Sequence, residues 1–237
     1  GGHSQVKTED LPSALLATDV VELAGLADMN ATDLQKALTG KRVSLSPSIN
    51  ANSESLSGSS TVKDLETLLQ LNYLYFTAPR RDEESYQTLM SILESQLANR
   101  DKNPKVAFND SIQMMTSNNS ERTVIFTKKL LEKVSLDKAL EVYKARFANP
   151  ADFTFFFVGN VNPEDAAFKA QVCQWLGGLK ANKKKEKVVD HQVRVPLGKQ
   201  QNYFTQKMEI KTASNRIQYT SYNMPYTLAN DLNMEMI

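Results

Sequence analysis

Two histidines, His3 and His191, stand near opposite ends of 237 residues, and no H-x-x-E-H run joins them to a helix. A catalytic metal site usually needs three protein ligands, two of them close together on one helix. The one cysteine, Cys173, excludes an internal disulfide. It lies on a predicted helix beside Trp175 and Leu176, where a small buried apolar role is expected rather than a reactive thiol. Paired carboxylates occur at Glu83-Glu84 and at Asp64/Glu66, each near a predicted helix start. There the macrodipole accounts for them without acid–base work. Ser57-Gly-Ser-Ser60 lacks the G-x-S-x-G order of a nucleophile elbow, and Gly159 and Gly177-Gly178 do not form a phosphate loop. Arg80-Arg81 could meet a peptide carboxylate or phosphate, but a solvated loop explains the pair. The residues thus offer no catalytic, cofactor-binding or metal-binding set.

The bulk composition narrows the partners. Apolar residues make up 41% and charged residues 23%, the proportions of a globular protein. The net charge is +1, from 28 basic and 27 acidic residues, which gives no electrostatic case for nucleic acid. The basic run Lys183-Lys-Lys-Glu-Lys187 lacks the interleaved aromatics of single-strand binders and is expected to be solvated linker. No apolar run approaches the ~20 residues that span a bilayer, so no membrane segment is expected.

These residues must be positioned by recognisable elements. Asp10-Leu-Pro-Ser-Ala opens a helix with Pro12 in its first turn, Leu16, Val20 and Leu23/Ala24 at helical spacing, and a stop at Gly25. Asn30 caps a short helix that ends at Gly40. Arg42-Val-Ser-Leu-Ser46 and Glu54-Ser-Leu-Ser-Gly58 alternate as two strands around the polar turn 48–53, with Pro47 near the end of the first. Residues 62–77 form a helix capped by Thr61, with Leu65, Leu68, Leu69, Tyr73 and Phe76 on its apolar face. Asp82 caps the next, with Tyr86, Leu89, Met90, Leu93 and Leu97 at i, i+3, i+4 spacing. The short connection predicts that these two helices pack as a hairpin. Pro104 starts a further helix, 118–122 is a polar loop, and 127–134 holds one or two helical turns. Ser135 caps a helix to Phe147 with Ala139, Val142, Tyr143 and Phe147 inward. Residues 153–158 are a continuous apolar strand expected to be covered on both faces or to lie mid-sheet. A helix runs from Pro163 to Gly177-Gly178. Residues 180–190 have linker composition; 202–210 and 215–222 are predicted strands, and a last helix begins at Tyr226. Helices clustered between strand groups favour an α+β layer over a doubly wound sheet.

Several of these segments resemble one family together. Asp152-Phe-Thr-Phe-Phe-Phe-Val-Gly-Asn-Val-Asn-Pro-Glu-Asp165 is similar to the closing strand-turn-helix of an insulinase-like (pitrilysin-type) zinc metallopeptidase domain. Leu71-Asn-Tyr-Leu-Tyr-Phe-Thr-Ala-Pro-Arg80, Asp33-Leu-Gln-Lys-Ala-Leu-Thr-Gly-Lys41 with the strand pair after it, and the small-residue start Gly1-Gly-His-Ser4 also match. The likeness covers most of residues 1–178, while 202–237 resemble the opening of a next domain.

The resemblance implies an α+β domain with an antiparallel-rich sheet against a layer of helices. It also implies domain 1–179 of the third type with its first strands missing, a linker 180–201, and the start of a truncated domain at 202–237. By approximate register, Thr18, Val21 and Glu22 fall where the family's His, Glu and His stand. Thr18 and Val21 cannot ligate zinc or act as a base there. Site residues are therefore expected to be absent from this chain, with zinc in the N-terminal half of the parent protein. The expected role is a non-catalytic, substrate-enclosing domain of a zinc metalloendopeptidase, with that catalytic half and a peptide substrate as partners. The alternative is a metal-free assembly subunit of the same fold.

Overall fold

The computed structural model describes residues 1–100, 103–182, 185–203, 205, 213–221 and 224–235. The chain opens with two 3-10 turns, Gly2–Gln5 and Thr8–Asp10, and then α1 (Leu11–Leu15) and α2 (Ala17–Ala24). Pro12 sits in the first turn of α1, where the missing N–H has no partner to lose. The run expected as one helix is broken at Leu16, whose backbone stands at φ −103° and ψ 3°, and both pieces are largely buried. Gly25 ends α2 at φ 84°; a Cβ there would overlap the Met29 carbonyl oxygen. α3 (Ala31–Ala37) is capped by Asn30, whose side chain accepts from Asp33 N–H at 2.9 Å.

β1 (Val43–Ile49) and β2 (Glu54–Ser60) form a two-stranded antiparallel sheet with Val43 opposite Ser60 and Pro47 opposite Leu56. Among the described residues each strand has a free edge, which tolerates Pro47. The hairpin lies on α2 and on α4 (Leu65–Thr77), while α8 (Leu136–Arg146) packs beneath α1 and α2. This is the expected α+β arrangement of an antiparallel sheet against helices. Between them come α5 (Glu83–Arg100), α6 (Pro104–Thr116, capped by Asn103) and the single turn α7 (Lys128–Leu131, capped by Thr127). α9 (Ala166–Trp175) and α10 (Leu228–Glu235) follow.

The core joins Val20, Val21 and Leu26 to Leu71, Tyr75, Leu136, Ala139, Tyr143 and Phe147. Tyr143 stacks on Phe147 at 4.6 Å, and its hydroxyl donates to the Tyr75 carbonyl at 3.2 Å. A smaller cluster of Leu16, Leu131 and Val134 takes Tyr86, Met90, Leu93, Leu97 and Phe126 from its flanks.

Further expectations need correction. The helix expected over 62–77 opens as a 3-10 turn, Val62–Asp64, with α4 only from Leu65, and the Thr61 side chain makes no cap bond. α4 and α5 do not pack as a hairpin: α5 lies against α2 and α7, while α4 supports the sheet and α9. The 78–82 connection explains it, because Pro79 bridges to Leu26 and the Ala78 carbonyl accepts from Ala27 N–H at 2.9 Å, so the chain is pinned before it can fold back. Residues 153–158 have no strand partner among the described residues, and one face is bare: Phe156 is 85% and Val158 99% exposed. Their inward rings still pack, Phe153 on Phe76 at 5.0 Å and Phe157 on Phe168 at 5.5 Å, which gives one covered face and one bare one. α9 begins at Ala166 rather than Pro163, because the Asp165 carboxylate caps the Ala167 N–H at 2.8 Å. Cys173 is exposed rather than buried. Of the two late strands, 202–210 falls largely outside the described residues, and 215–221 carries no ladder.

Candidate functional site

The α2 helix is the place to look, since its sequence is where chemistry would be expected and it lies between the sheet and the core. Thr18 is half-exposed and Glu22 half-buried, but Val21 is wholly buried, at 0% exposure. The three residues do not share one environment. Helical spacing turns Val21 toward the core, where Tyr143 and Phe147 also stand. Burial raises the Glu22 carboxyl above the ordinary carboxylate range; a hydrogen bond from Ser46 opposes this, and the Asp19 charge adds to it. Glu22 also acts on the tyrosines behind it. Burial, with a smaller push from Glu22, holds the Tyr75 hydroxyl up at about 12, and Tyr143 is raised further for the same first reason. One half-buried carboxylate with two silent phenols can accept a hydrogen bond or a proton. It cannot hold a metal ion, which needs more ligands than one. Among the described residues no three His, Cys, Asp or Glu side chains gather as a metal-binding group.

The remaining candidates are engaged in structure. Arg80 pairs with Asp82 at 2.9 Å, and Arg81 reaches Asp137 at 2.7 Å and Glu83 at 3.3 Å, so the arginine pair ties its loop to α8. Glu83 stands in the first turn of α5, and Asp82 caps that turn by accepting from Ser85 N–H at 2.9 Å. Asp64 accepts from the Thr61 hydroxyl at 2.6 Å and from Arg42 N–H at 3.0 Å. These bonds hold its carboxyl below the usual range and join the start of β1 to the start of α4. Ser57 and Ser59 point outward from β2.

The structure gathers two residues that the sequence leaves apart. His191 donates through Nε2 to the Ser4 carbonyl at 2.8 Å, and Ser4 is the neighbour of His3. Arg122, from the 118–122 loop, donates to the carbonyls of His3 and Val6 at 2.8 and 2.9 Å. Nothing in a polar loop of that composition marks Arg122 as a clasp, because its acceptors are backbone atoms more than a hundred residues away.

Known proteins answer to this fold. No family model matches the chain. A zinc protease PQQL-like protein of Arabidopsis thaliana is 32% identical over 117 residues, which are 49% of this chain and 12% of that protein. The periplasmic protease PqqL of Escherichia coli superposes with a TM-score of 0.68 at 20% identity, over 81% of this chain and 21% of its own. The ferredoxin protease FusC, solved with Arabidopsis ferredoxin, gives 0.63 at 20% identity, over 77% of this chain and 20% of its own. Half of the chain is thus similar in sequence to a zinc protease, and its fold is that of a part of two solved proteases.

The chain spans 12% of the length of the Arabidopsis relative and 21% of that of PqqL. Thr18, Val21 and Glu22, the α2 residues singled out from the sequence, differ in their surroundings. The side chains there are a half-exposed hydroxyl, a buried isopropyl group and a lone carboxylate.

Proposed function

We propose that this chain is a non-catalytic, substrate-enclosing part of an insulinase-like zinc metalloendopeptidase. In this reading residues 1–179 form the enclosing domain, 180–201 a linker and 202–237 the opening of the next domain. The observation that carries the reading is Val21. At the position where the family's motif places its glutamate, this chain puts an aliphatic side chain with 0% exposure in the middle of its core. A general base must reach a metal-bound water, and no rotation of a buried valine provides one. Zinc and its ligands then belong to the N-terminal catalytic half of the same protein, which is the chain's first partner. The substrate is a peptide or protein that the closed halves surround, so selection would act by size and extended character rather than by contact with the metal. FusC was solved with a ferredoxin, which supports a protein-sized substrate for this reading.

A second reading, a metal-free assembly subunit of the same fold, draws on the bare face of residues 153–158. A run of this apolarity with Phe156 at 85% exposure is a surface for another protein.

The deciding experiment assays peptide hydrolysis by the full-length protein with and without a chelator, with the 237-residue chain alongside. Hydrolysis by the full-length protein that chelation stops, with a silent 237-residue chain that binds no stoichiometric zinc, is the expected result. Tight zinc at one per chain would sink the enclosing role. A full-length protein that is itself silent and metal-free turns the assignment to the assembly subunit.

A further inference from the structure

Residues 185–191 carry no regular secondary structure, yet they lie against the first turn of the chain through bonds at both ends. The Ser4 hydroxyl accepts from Val189 N–H at 3.1 Å, and the Ser4 carbonyl accepts from His191 Nε2 at 2.8 Å. Glu186 pairs with Arg146 of α8 at 2.5 Å, and its N–H donates to Asp152 at 2.8 Å. Ser4 is itself 6% exposed. Everything that this segment grips at its far end therefore depends on how the Gly2–Gln5 turn is seated.

That turn is seated through His3. Its N–H donates to the Asn50 carbonyl at 2.8 Å, its carbonyl accepts from Arg122, and its ring Nε2 is buried with no hydrogen-bond partner. A neutral ring tolerates this, because the other nitrogen can carry the proton toward the Ala14 carbonyl of α1. A cationic ring would carry a second N–H into a buried place without an acceptor.

We propose that residues 185–191 form a pH-sensitive strap, seated on the Gly2–Gln5 turn at neutral pH and released in acid when His3 becomes a cation. The charged groups facing the ring are Arg122, which opposes the cation, and Glu54 of β2, which favours it. Glu54 Oε2 already accepts from Gly2 N–H at 2.6 Å. On the strap side stand His191, Glu186 and the Gly1 amine, the last within 3.6 Å of Glu186. The His191 bond survives protonation, since Nε2 is the donor to a carbonyl in either state. Burial lowers the His3 ring below its ordinary value, with Arg122 helping and the Ala14 bond and Glu54 opposing. The released chain takes the proton near the ordinary value and the seated chain only below it. Seating is complete above that value and weakens as pH falls through it.

Hydrogen exchange of the 237-residue chain tests this, with protection factors for the Val189 and Glu186 amides at pH 7.0 and 5.0. Protection of Val189 is expected to fall about tenfold or more in acid, the effect of leaving one buried donor without an acceptor. In His3→Gln it is expected to stay level, and in Ser4→Ala to be low at both pH values. Protection that is the same at both pH values, or that falls equally in His3→Gln, overturns the strap. Should His3→Gln not fold, the His3 ring is titrated by NMR in the unaltered chain. Its midpoint must coincide with the loss of Val189 protection, and a midpoint without that loss overturns the proposal.

Discussion

Two apolar segments of this protein meet opposite fates. α2 is a modest sequence, ATDVVELA, with two carboxylates in eight residues, yet Ala17, Val20, Val21 and Ala24 are all at 2% exposure or less. Residues 153–158 contain four phenylalanines and a valine, and the outward Phe156 and Val158 stand almost bare. Apolarity drives both segments toward cover, but cover has to come from a neighbour of the right shape. α2 has the sheet on one side and α5 and α8 on others. The 153–158 segment has α4 and Phe168 on one face only. Burial here reports the number of partners, not the strength of the hydrophobic signal.

The contrast can be broken most sharply by putting the same charge into each segment. Val21→Glu should cost several kcal/mol or abolish folding, because the carboxylate enters a core with no partner. Phe147→Ala, which removes a ring that Tyr143, Phe76 and Phe153 all touch, should cost about 3–5 kcal/mol by denaturant unfolding. Alkaline pH probes the same core through Tyr75. Its hydroxyl is raised to about 12 when folded, so the unfolded chain loses its proton first. Stability should be unaffected below pH 10 and fall by on the order of 2 kcal/mol between there and pH 12; Tyr75→Phe should remove that share of the slope. Loss of the α3 cap by Asn30→Ala should cost about 1 kcal/mol, well below any of these. The smallest effect is expected at the bare face: Phe156→Glu should move stability by no more than about 0.5 kcal/mol. A loss of 2 kcal/mol or more there would show that the segment is covered in solution and would erase the contrast.

Local signals were legible where their chemistry is local. Pro12, Asn30, Asp82, Pro104 and Ser135 mark helix starts by rules that involve only a few neighbouring residues, and each marks one in the structure, whereas the Thr61 hydroxyl bonds Asp64 instead of capping. The alternation around 48–53 likewise predicts the hairpin, because strand periodicity and a polar turn are contiguous in sequence. On α8, the inward set Ala139, Val142, Tyr143 and Phe147 is all buried. On α4 the spacing placed Leu65, Leu68, Leu69, Tyr73 and Phe76 inward, whereas Leu71 and Tyr75 are deeper than most of these. That helix is wrapped by the sheet, α8 and α9, so its buried arc is wider than one stripe.

Of the candidate site, composition and spacing reveal which groups are lacking, since a motif is a string of neighbours. The sequence alone determined the helix caps, the hairpin and the identity of the α2 residues at 18, 21 and 22. Only the tertiary structure decided which of them face water, which way α5 packs, that Cys173 is outside, and that His191 returns to Ser4. The reason is physical. Capping and alternation are satisfied within a few residues, whereas exposure and long-range hydrogen bonds depend on segments that meet after more than a hundred residues of chain, and no local pattern encodes that meeting.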